Sequence, residues 1–241
     1  MIAARTTARP ATFAANKAAK RSRANAPRFV PRAAADDMQM TGLVFEPIDN
    51  EVSRELTSVS KANAAVDSLA RVDLHPECEA AINEQINVEY SVSYIYHSLF
   101  AFFDRDNIGL PGFAKYFKAL SEEEREHAEG LMEYMNIRGG KVKLMPLAAP
   151  QTEFNNDGKG EALYSMELSL ALEKLNYQKL MGLHQVADKH GDAQLCDFVE
   201  GDYLQDQVED IKKTAAYVSQ LRRVGKGLGV YQFDHQLAEA E

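Results

Sequence analysis

Four stretches of this sequence place metal-ligand side chains inside otherwise apolar helical stripes. Followed at the alternating spacing of four and three that keeps side chains on one buried face, each stripe is interrupted near its middle. The interruptions are Glu89, then Glu124 with His127, then Glu173, then Gln207. Burying an unpaired carboxylate destabilises a fold by roughly several kcal/mol unless a cation or a full set of hydrogen bonds compensates its charge. Three carboxylates at matched depth therefore predict a multivalent cation between them.

The ligand types indicate which metal this is. Carboxylates, one imidazole and an amide oxygen suit iron or manganese better than metals that prefer thiolates. Glu124 and His127 form Glu-x-x-His, a spacing that puts both heads on one helix face. Glu123 is a candidate flanking ligand, and Tyr96 is a candidate for holding a ligand or taking part in redox steps. Taken alone, the acidic run SEEEREHAE is typical of a solvated helix face, and a single histidine such as His127 is typical of a core residue. Only the combination of all these residues is specific for a metal site.

Helices must position these residues, and long stretches without proline that are rich in Ala, Leu, Glu, Lys and Met predict them. The predicted helices are 76–104, 112–138, 160–190 and 192–224, with a short fifth helix over 231–239. Short links make the first and second helices, and the third and fourth, antiparallel neighbours. The segment 139–159 is long enough to run the length of the bundle. The expected fold class is all-α, a four-helix bundle with one long crossover.

The charge is divided unevenly along the chain. The net charge is −9, yet residues 1–35 carry eight basic side chains and no acid, which leaves 19 basic against 36 acidic groups in the remainder. An Ala-rich, hydroxyl-bearing, acid-free head without an apolar centre is typical of a chloroplast or mitochondrial transit peptide. A basic tail without structure and an arm that binds nucleic acid are the alternatives. The acidic remainder argues against nucleic-acid binding by the folded part.

Two further classes are excluded by composition. The two cysteines, Cys78 and Cys196, are far apart and form no CxxC, which excludes a disulfide scaffold and a thiolate zinc site. The apolar stretches are shorter than the roughly 18 residues of a membrane helix. We therefore expect no membrane span.

The residues above, with the segments around them, resemble ferritins of the ferroxidase, heavy-chain kind, and specifically the plastid ferritins of plants and algae. The resemblance covers about 42–241 and rests on AINEQINVEYSVSYIYHSLFAFFDRDN, SEEEREHAEGLMEYMNIRGGKVKL, ALYSMELSLALEKL, LCDFVE and YVSQLRRVGKG. The motif GLVFEPI resembles the start of the extension peptide of plastid ferritins. The implied organisation is a transit peptide over 1–40, an extension peptide over 41–75 and a ferritin-like di-iron domain over 76–241.

The resemblance also implies a function. Two Fe(II) ions are oxidised by O2 at a di-iron centre, and the Fe(III) is stored as hydrated oxide in a hollow homo-oligomeric shell of about 24 subunits in the plastid stroma. Glu89, Glu124 and His127 would hold one iron, and Glu124, Glu173 and Gln207 the other. Glu123 and Tyr96 match accessory positions.

Other residues acquire expected roles from the same resemblance. Asp197, Glu200 and His184 match the three-fold channels, where carboxylates concentrate Fe(II). The alternative is that they are exposed helix-end charges. Glu126 and Glu129 are candidates for facing the cavity as nucleation groups. Asp210 occupies a position where the family usually has a small residue, and we expect it to add a carboxylate to the second iron and to slow its turnover.

Two other functions are considered. A di-iron oxygenase acting on an organic substrate would be expected to carry a second Glu-x-x-His on the fourth helix, where this sequence has Gln207. A purely structural cage subunit would lack some of Glu89, Glu124, His127 and Glu173, and all four are present. The predicted activity is therefore that of a ferroxidase.

Overall fold

The computed structural model describes residues 48–63 and 67–239, and within them the regular structure is helical with no strand. The helices are α1 (Ile48–Lys61), α2 (Pro76–Phe103), α3 (Pro111–Ile137), α4 (Glu161–Lys189), α5 (Ala193–Val199), α6 (Gln205–Val224) and α7 (Leu228–Glu239). A π-helical turn, Glu200–Leu204, joins α5 to α6. The chain divides into two compact units, residues 1–51 and residues 52–241, and the packing described below belongs to the second unit.

The predicted transit peptide, 1–40, lies outside the described residues, as does much of the predicted extension, 41–75. The described part of the extension contains α1, a helix that the sequence patterns did not predict. Among the described helices, none is long and apolar enough to cross a membrane.

The predicted four-helix bundle is confirmed. The most extensive packing joins α2 to α3, and α4 to α6. Ser93 hydrogen-bonds to Ser121 while Phe103 stacks on Phe113 at 5.1 Å between ring centroids, so α2 and α3 are antiparallel. Pro76 and Pro111 occupy the first helical positions, where the missing N–H costs nothing. Gly139, at φ 71°, follows the end of α3 in the left-handed conformation that favours glycine.

The predicted long crossover is present, and the structure places it beside α2. Near its beginning, Asn83 donates to the Lys141 carbonyl at 3.0 Å, and towards its end Arg105 pairs with Glu153 at 2.8 Å. Phe154 then inserts its side chain into the core with no exposed surface. The loop therefore spans most of the length of α2 and delivers the chain to the opposite end of the bundle.

The apolar core is divided into two clusters, one on each side of the predicted metal ligands. In α2 one cluster includes Ile82 and Ile86, and the other begins at Val92. In α3 the clusters contain Phe117 and Leu131, with the Glu-x-x-His between them. The boundary between the two clusters also falls within α4, and it falls between the π-turn and α6. The polar residues thus occupy one shared layer.

Two details of the predicted helices are wrong. The single helix expected over 192–224 is interrupted by the π-turn, where Tyr203 is buried and its hydroxyl donates to the His127 carbonyl at 3.0 Å. The spacing of four and three through Glu173 also predicts Leu170 and Tyr177 on the buried face of α4, and both are only half-buried. Because α4 packs against both α2 and α6, its buried face is rotated away from the predicted stripe and includes residues outside that stripe. The buried positions of that displaced face include Ser165, Ser169, Leu172 and Asn176.

Candidate metal centre

The five predicted ligands that interrupt the apolar stripes converge in the polar layer from four helices, while the sixth, Glu123, lies at its rim. Glu89 has no exposed surface, Glu124 and Glu173 are each 4% exposed, and Gln207 is 6% exposed. The His127 side chain is 26% exposed, so the cluster reaches the surface on that side. Glu89, Glu124 and Glu173 lie near the middles of α2, α3 and α4, whereas Gln207 lies in the first turn of α6, directly after the π-turn. The structure therefore brings together the residues that the stripes singled out.

One half of the cluster joins α2 to α3. One ligand atom from each of Glu89, Glu124 and His127 lies within 4.8 Å of the other two. The His127 Nδ1 is 3.4 Å from a Glu124 carboxylate oxygen, as the i, i+3 spacing predicts. These three groups can converge on one cation with small side-chain rotations.

The other half joins α2, α4 and α6. The Gln207 amide donates to the Glu173 carboxylate and also to the Glu173 carbonyl oxygen at 3.3 Å. The Tyr96 hydroxyl donates to the other carboxylate oxygen of Glu173 and lies 3.1 Å from the Ser169 hydroxyl. Tyr96 therefore orients a candidate ligand.

Asn176 and Gln85 connect the two halves, and the sequence analysis missed both. The Asn176 amide donates to Glu89 at 2.8 Å and to Gln207 Oε1 at 3.3 Å. The Gln85 amide donates to Glu89 and to Asn176 Oδ1, both at 2.7 Å. Both residues are buried. A spacing signal was available, because Gln85 precedes Glu89 by four residues and Asn176 follows Glu173 by three.

Burial raises the pKa of the carboxyl groups in the cluster and so favours their neutral forms. Loss of hydration, followed by the nearby charge of Glu124, raises the pKa of Glu89 well above its usual range. Burial likewise raises the pKa of Glu124 to about 8 and raises that of Glu173. A divalent cation between these groups would favour their charged forms instead.

Two acidic residues flank the cluster. Asp210, one turn after Gln207, is half-buried, and its charge raises the pKa of Glu124 and Glu173. Glu123 lies at the exposed rim, where lost hydration and then the Asp210 charge raise its pKa. Asp210 is therefore electrostatically part of the site.

The predicted channel residues lie away from this cluster. His184 Nε2 is 2.6 Å from a carboxylate oxygen of Glu200, which begins the π-turn. Asp197 is exposed on α5, three residues before Glu200. Glu126 and Glu129 are exposed on α3, and Glu129 pairs with Arg125 at 3.6 Å. The structure thus pairs two of the three channel candidates within one subunit.

The chain is similar to known proteins over most of its length. The Ferritin-like domain matches residues 79–224. "Ferritin-3, chloroplastic" of Glycine max is 57% identical over 88% of this chain and 83% of its own. "Ferritin-3, chloroplastic" of Arabidopsis thaliana is 58% identical over 83% of this chain and 76% of its own. The crystal structure of ferritin from the green alga Ulva pertusa superposes with a TM-score of 0.79 and 63% identity, covering 82% of this chain and all of that one.

Proposed function

The chain belongs to the ferritin family of iron-storage proteins, within its plastid group, and on that premise we propose that it oxidises Fe(II) with O2 at its central cluster. The observation that carries the proposal is the convergence of Glu89, Glu124 and His127 within 4.8 Å in a buried polar layer. Such a cluster is costly to the fold without a cation. Iron is here the substrate and cargo.

The two halves of the cluster provide for two iron ions. We assign Glu89, Glu124 and His127 to one, and Glu124, Glu173 and Gln207 to the other, with Glu124 shared. Each Fe(II) would give up one electron, and O2 would accept the pair together with two protons from water to give hydrogen peroxide, while the protein sets the geometry of the ions. Gln207 is a neutral ligand and binds a cation more weakly than a carboxylate does, which favours release of the Fe(III) product.

Tyr96 and Glu123 have supporting roles in this proposal. Tyr96 holds Glu173 through a hydrogen bond and keeps its proton, because burial and then the charge of Glu173 raise its pKa. Glu123 lies at the rim close to His127, where a carboxylate can pass ions to or from the buried ligands. The alternatives, a di-iron oxygenase and a cage subunit without ferroxidase activity, predict different outcomes in the test below.

The test is aerobic Fe(II) oxidation by the purified protein, followed optically. We expect the double variant Glu124→Ala, His127→Ala to assemble and to lose rapid oxidation. The matched control is Glu122→Ala, Arg125→Ala, which changes exposed residues of the same helix and keeps the rate. A double ligand variant that oxidises Fe(II) as fast as wild type would refute the assignment. Rapid oxidation of an added organic substrate would favour the oxygenase.

The assembly is part of the proposal. Family members form oligomeric cages, and we propose a shell of about 24 copies of this chain closed by rotational symmetry. Asp197, Glu200 and His184 would then line its three-fold channels and draw Fe(II) inward. Analytical ultracentrifugation measures the mass of the particle. Glu200→Gln should slow iron entry without changing that mass.

The plastid location agrees with the relatives, which are named chloroplastic. We propose that residues 1–40 are the transit peptide, removed on import, that 41–75 form the extension peptide, and that 76–241 form the iron-oxidising domain. N-terminal sequencing of protein isolated from the organism tests this division. Retention of residues 1–35 would contradict it.

A further inference from the structure

A second cluster of metal-ligand side chains lies at one end of the bundle. One ligand atom from each of His75, Glu77 and His190 lies within 4.8 Å of the other two. His75 caps the N-terminus of α2, and His190 follows the last residue of α4. Glu77 precedes Glu89 by 12 residues, which is about 18 Å along the helix. This cluster is therefore separate from the central one.

The two imidazole rings are already held against each other. Their centroids are 3.6 Å apart and their planes differ by 15°. His190 Nε2 is 3.0 Å from a Glu77 carboxylate oxygen. The His75 position is set by its Nδ1, which accepts from the Glu77 backbone N–H at 3.2 Å. Two helix termini thus bring the three side chains together without an ion.

We propose that His75, Glu77 and His190 bind a borderline divalent cation, of the class of Zn²⁺ or Cu²⁺, and that the ion joins the start of α2 to the end of α4. Two imidazoles and one carboxylate are the ligands these metals prefer. Glu77 is about half exposed, so water can fill the remaining coordination positions. The inference does not depend on iron oxidation at the central cluster.

Binding requires two small changes. A ring nitrogen coordinates in the plane of its ring, so the stacked imidazoles must tilt for both nitrogens to face one ion. Lys189, whose ammonium is 2.6 Å from the same Glu77 oxygen, must move away. Its side chain is 62% exposed, so solvent is available to it. Lys189 is thus a built-in competitor of the cation.

Electron paramagnetic resonance with Cu²⁺ alone distinguishes this site from the others. The central cluster offers one imidazole, His127, and the channel candidates offer His184 from each subunit. We therefore use the full chain with His184→Gln, so that neighbouring subunits cannot supply several imidazoles. The expected result is splitting from two nitrogens, which becomes one nitrogen or none in His190→Gln. Two-nitrogen splitting that persists in His190→Gln would overturn the proposal, as would its absence from the parent protein.

Affinity measurements supply a second test. Titration of iron-free protein with Cu²⁺ should show His190→Gln and His75→Asn losing affinity by about 10-fold or more. Asparagine retains an N-cap acceptor, so His75→Asn separates metal binding from helix capping. Lys189→Gln should bind Cu²⁺ more tightly. The control is Lys179→Gln, which removes another lysine of α4, the partner of Glu84, and should leave the affinity for Cu²⁺ unchanged. Unchanged affinity in both histidine variants refutes the site, even if iron oxidation is intact.

Discussion

Asn176 donates its side-chain amide to Glu89 at 2.8 Å and thereby ties α4 to the buried carboxylate of α2. The same amide contacts Gln207 Oε1 at 3.3 Å, so one side chain spans the two proposed iron positions. A buried carboxylate is positioned by the donors around it, because an unmet hydrogen bond there costs about 1–3 kcal/mol. The ligands of the site therefore depend on a residue that is not itself a proposed ligand.

Replacing Asn176 by leucine tests this dependence. We expect Asn176→Leu to assemble, to unfold at a lower temperature and to oxidise Fe(II) more slowly, because Glu89 and Gln207 lose a shared donor. The stability loss should be about 1–3 kcal/mol. The control, Gln178→Leu, removes an exposed amide from the same helix. Equal oxidation rates in the two variants would show that Asn176 does not position the ligands.

Asp210 should strengthen binding of the second iron and slow its turnover. Asp210→Ala removes a charge that acts on Glu124 and Glu173, so we expect weaker Fe(II) binding and faster repeated turnover. Glu209→Ala, at the exposed neighbouring position, is the matched control. Stopped-flow oxidation after successive Fe(II) additions measures turnover, and equilibrium titration measures binding. If neither quantity changes, Asp210 has no role at the iron site.

The contact between α3 and α7 leaves no room for a side chain at Gly112. A Cβ there would lie 1.8 Å from the Asp234 carbonyl oxygen, while the Asp234 carboxylate accepts from the Phe113 N–H at 2.9 Å. Gly112→Ala should displace α7 and destabilise the subunit by about 1–3 kcal/mol. Gly182→Ala, in an open position of α4, should be neutral or stabilising. Calorimetry compares the two, and a neutral Gly112→Ala contradicts this packing.

Glu167 should make stability depend on pH. Burial alone would raise its pKa, but hydrogen bonds from Lys159 and Arg222 outweigh that effect, and the pKa lies below 4.5. A lowered native pKa means that the stabilisation is present above the unfolded value and is lost as the pH falls through the native value. The difference in melting temperature between wild type and Glu167→Gln should therefore close on acidification below about pH 4.5.

Calorimetry of iron-free protein from about pH 7 to about pH 3 covers this transition. Glu84→Gln serves as the comparison, since Glu84 and its partner Lys179 are both largely exposed and such pairs contribute little. The melting temperature of Glu84→Gln should differ little from that of wild type at every pH. A Glu167→Gln difference that widens on acidification has the opposite sign and rejects the assignment.

The sequence determined the bundle and the main cluster because both follow from periodicity. Residues three and four apart share a helix face, so Glu89, Glu124, His127, Glu173 and Gln207 marked one layer without any coordinates. The link lengths then determined which helices are neighbours. The extension helix α1 was missed, although Val52, Leu56 and Val59 follow the same spacing of four and three; all three side chains are exposed.

Only the tertiary structure decided which side chains meet across helices. Asn176 is polar and lies beside the predicted stripe, so its burial depends on the position of α4 between α2 and α6. The π-turn follows from packing too, because Tyr203 reaches the His127 carbonyl on another helix. His75 and His190 are 115 positions apart and belong to no stripe. Periodicity describes one helix at a time, whereas these contacts depend on how two or three helices are placed against one another.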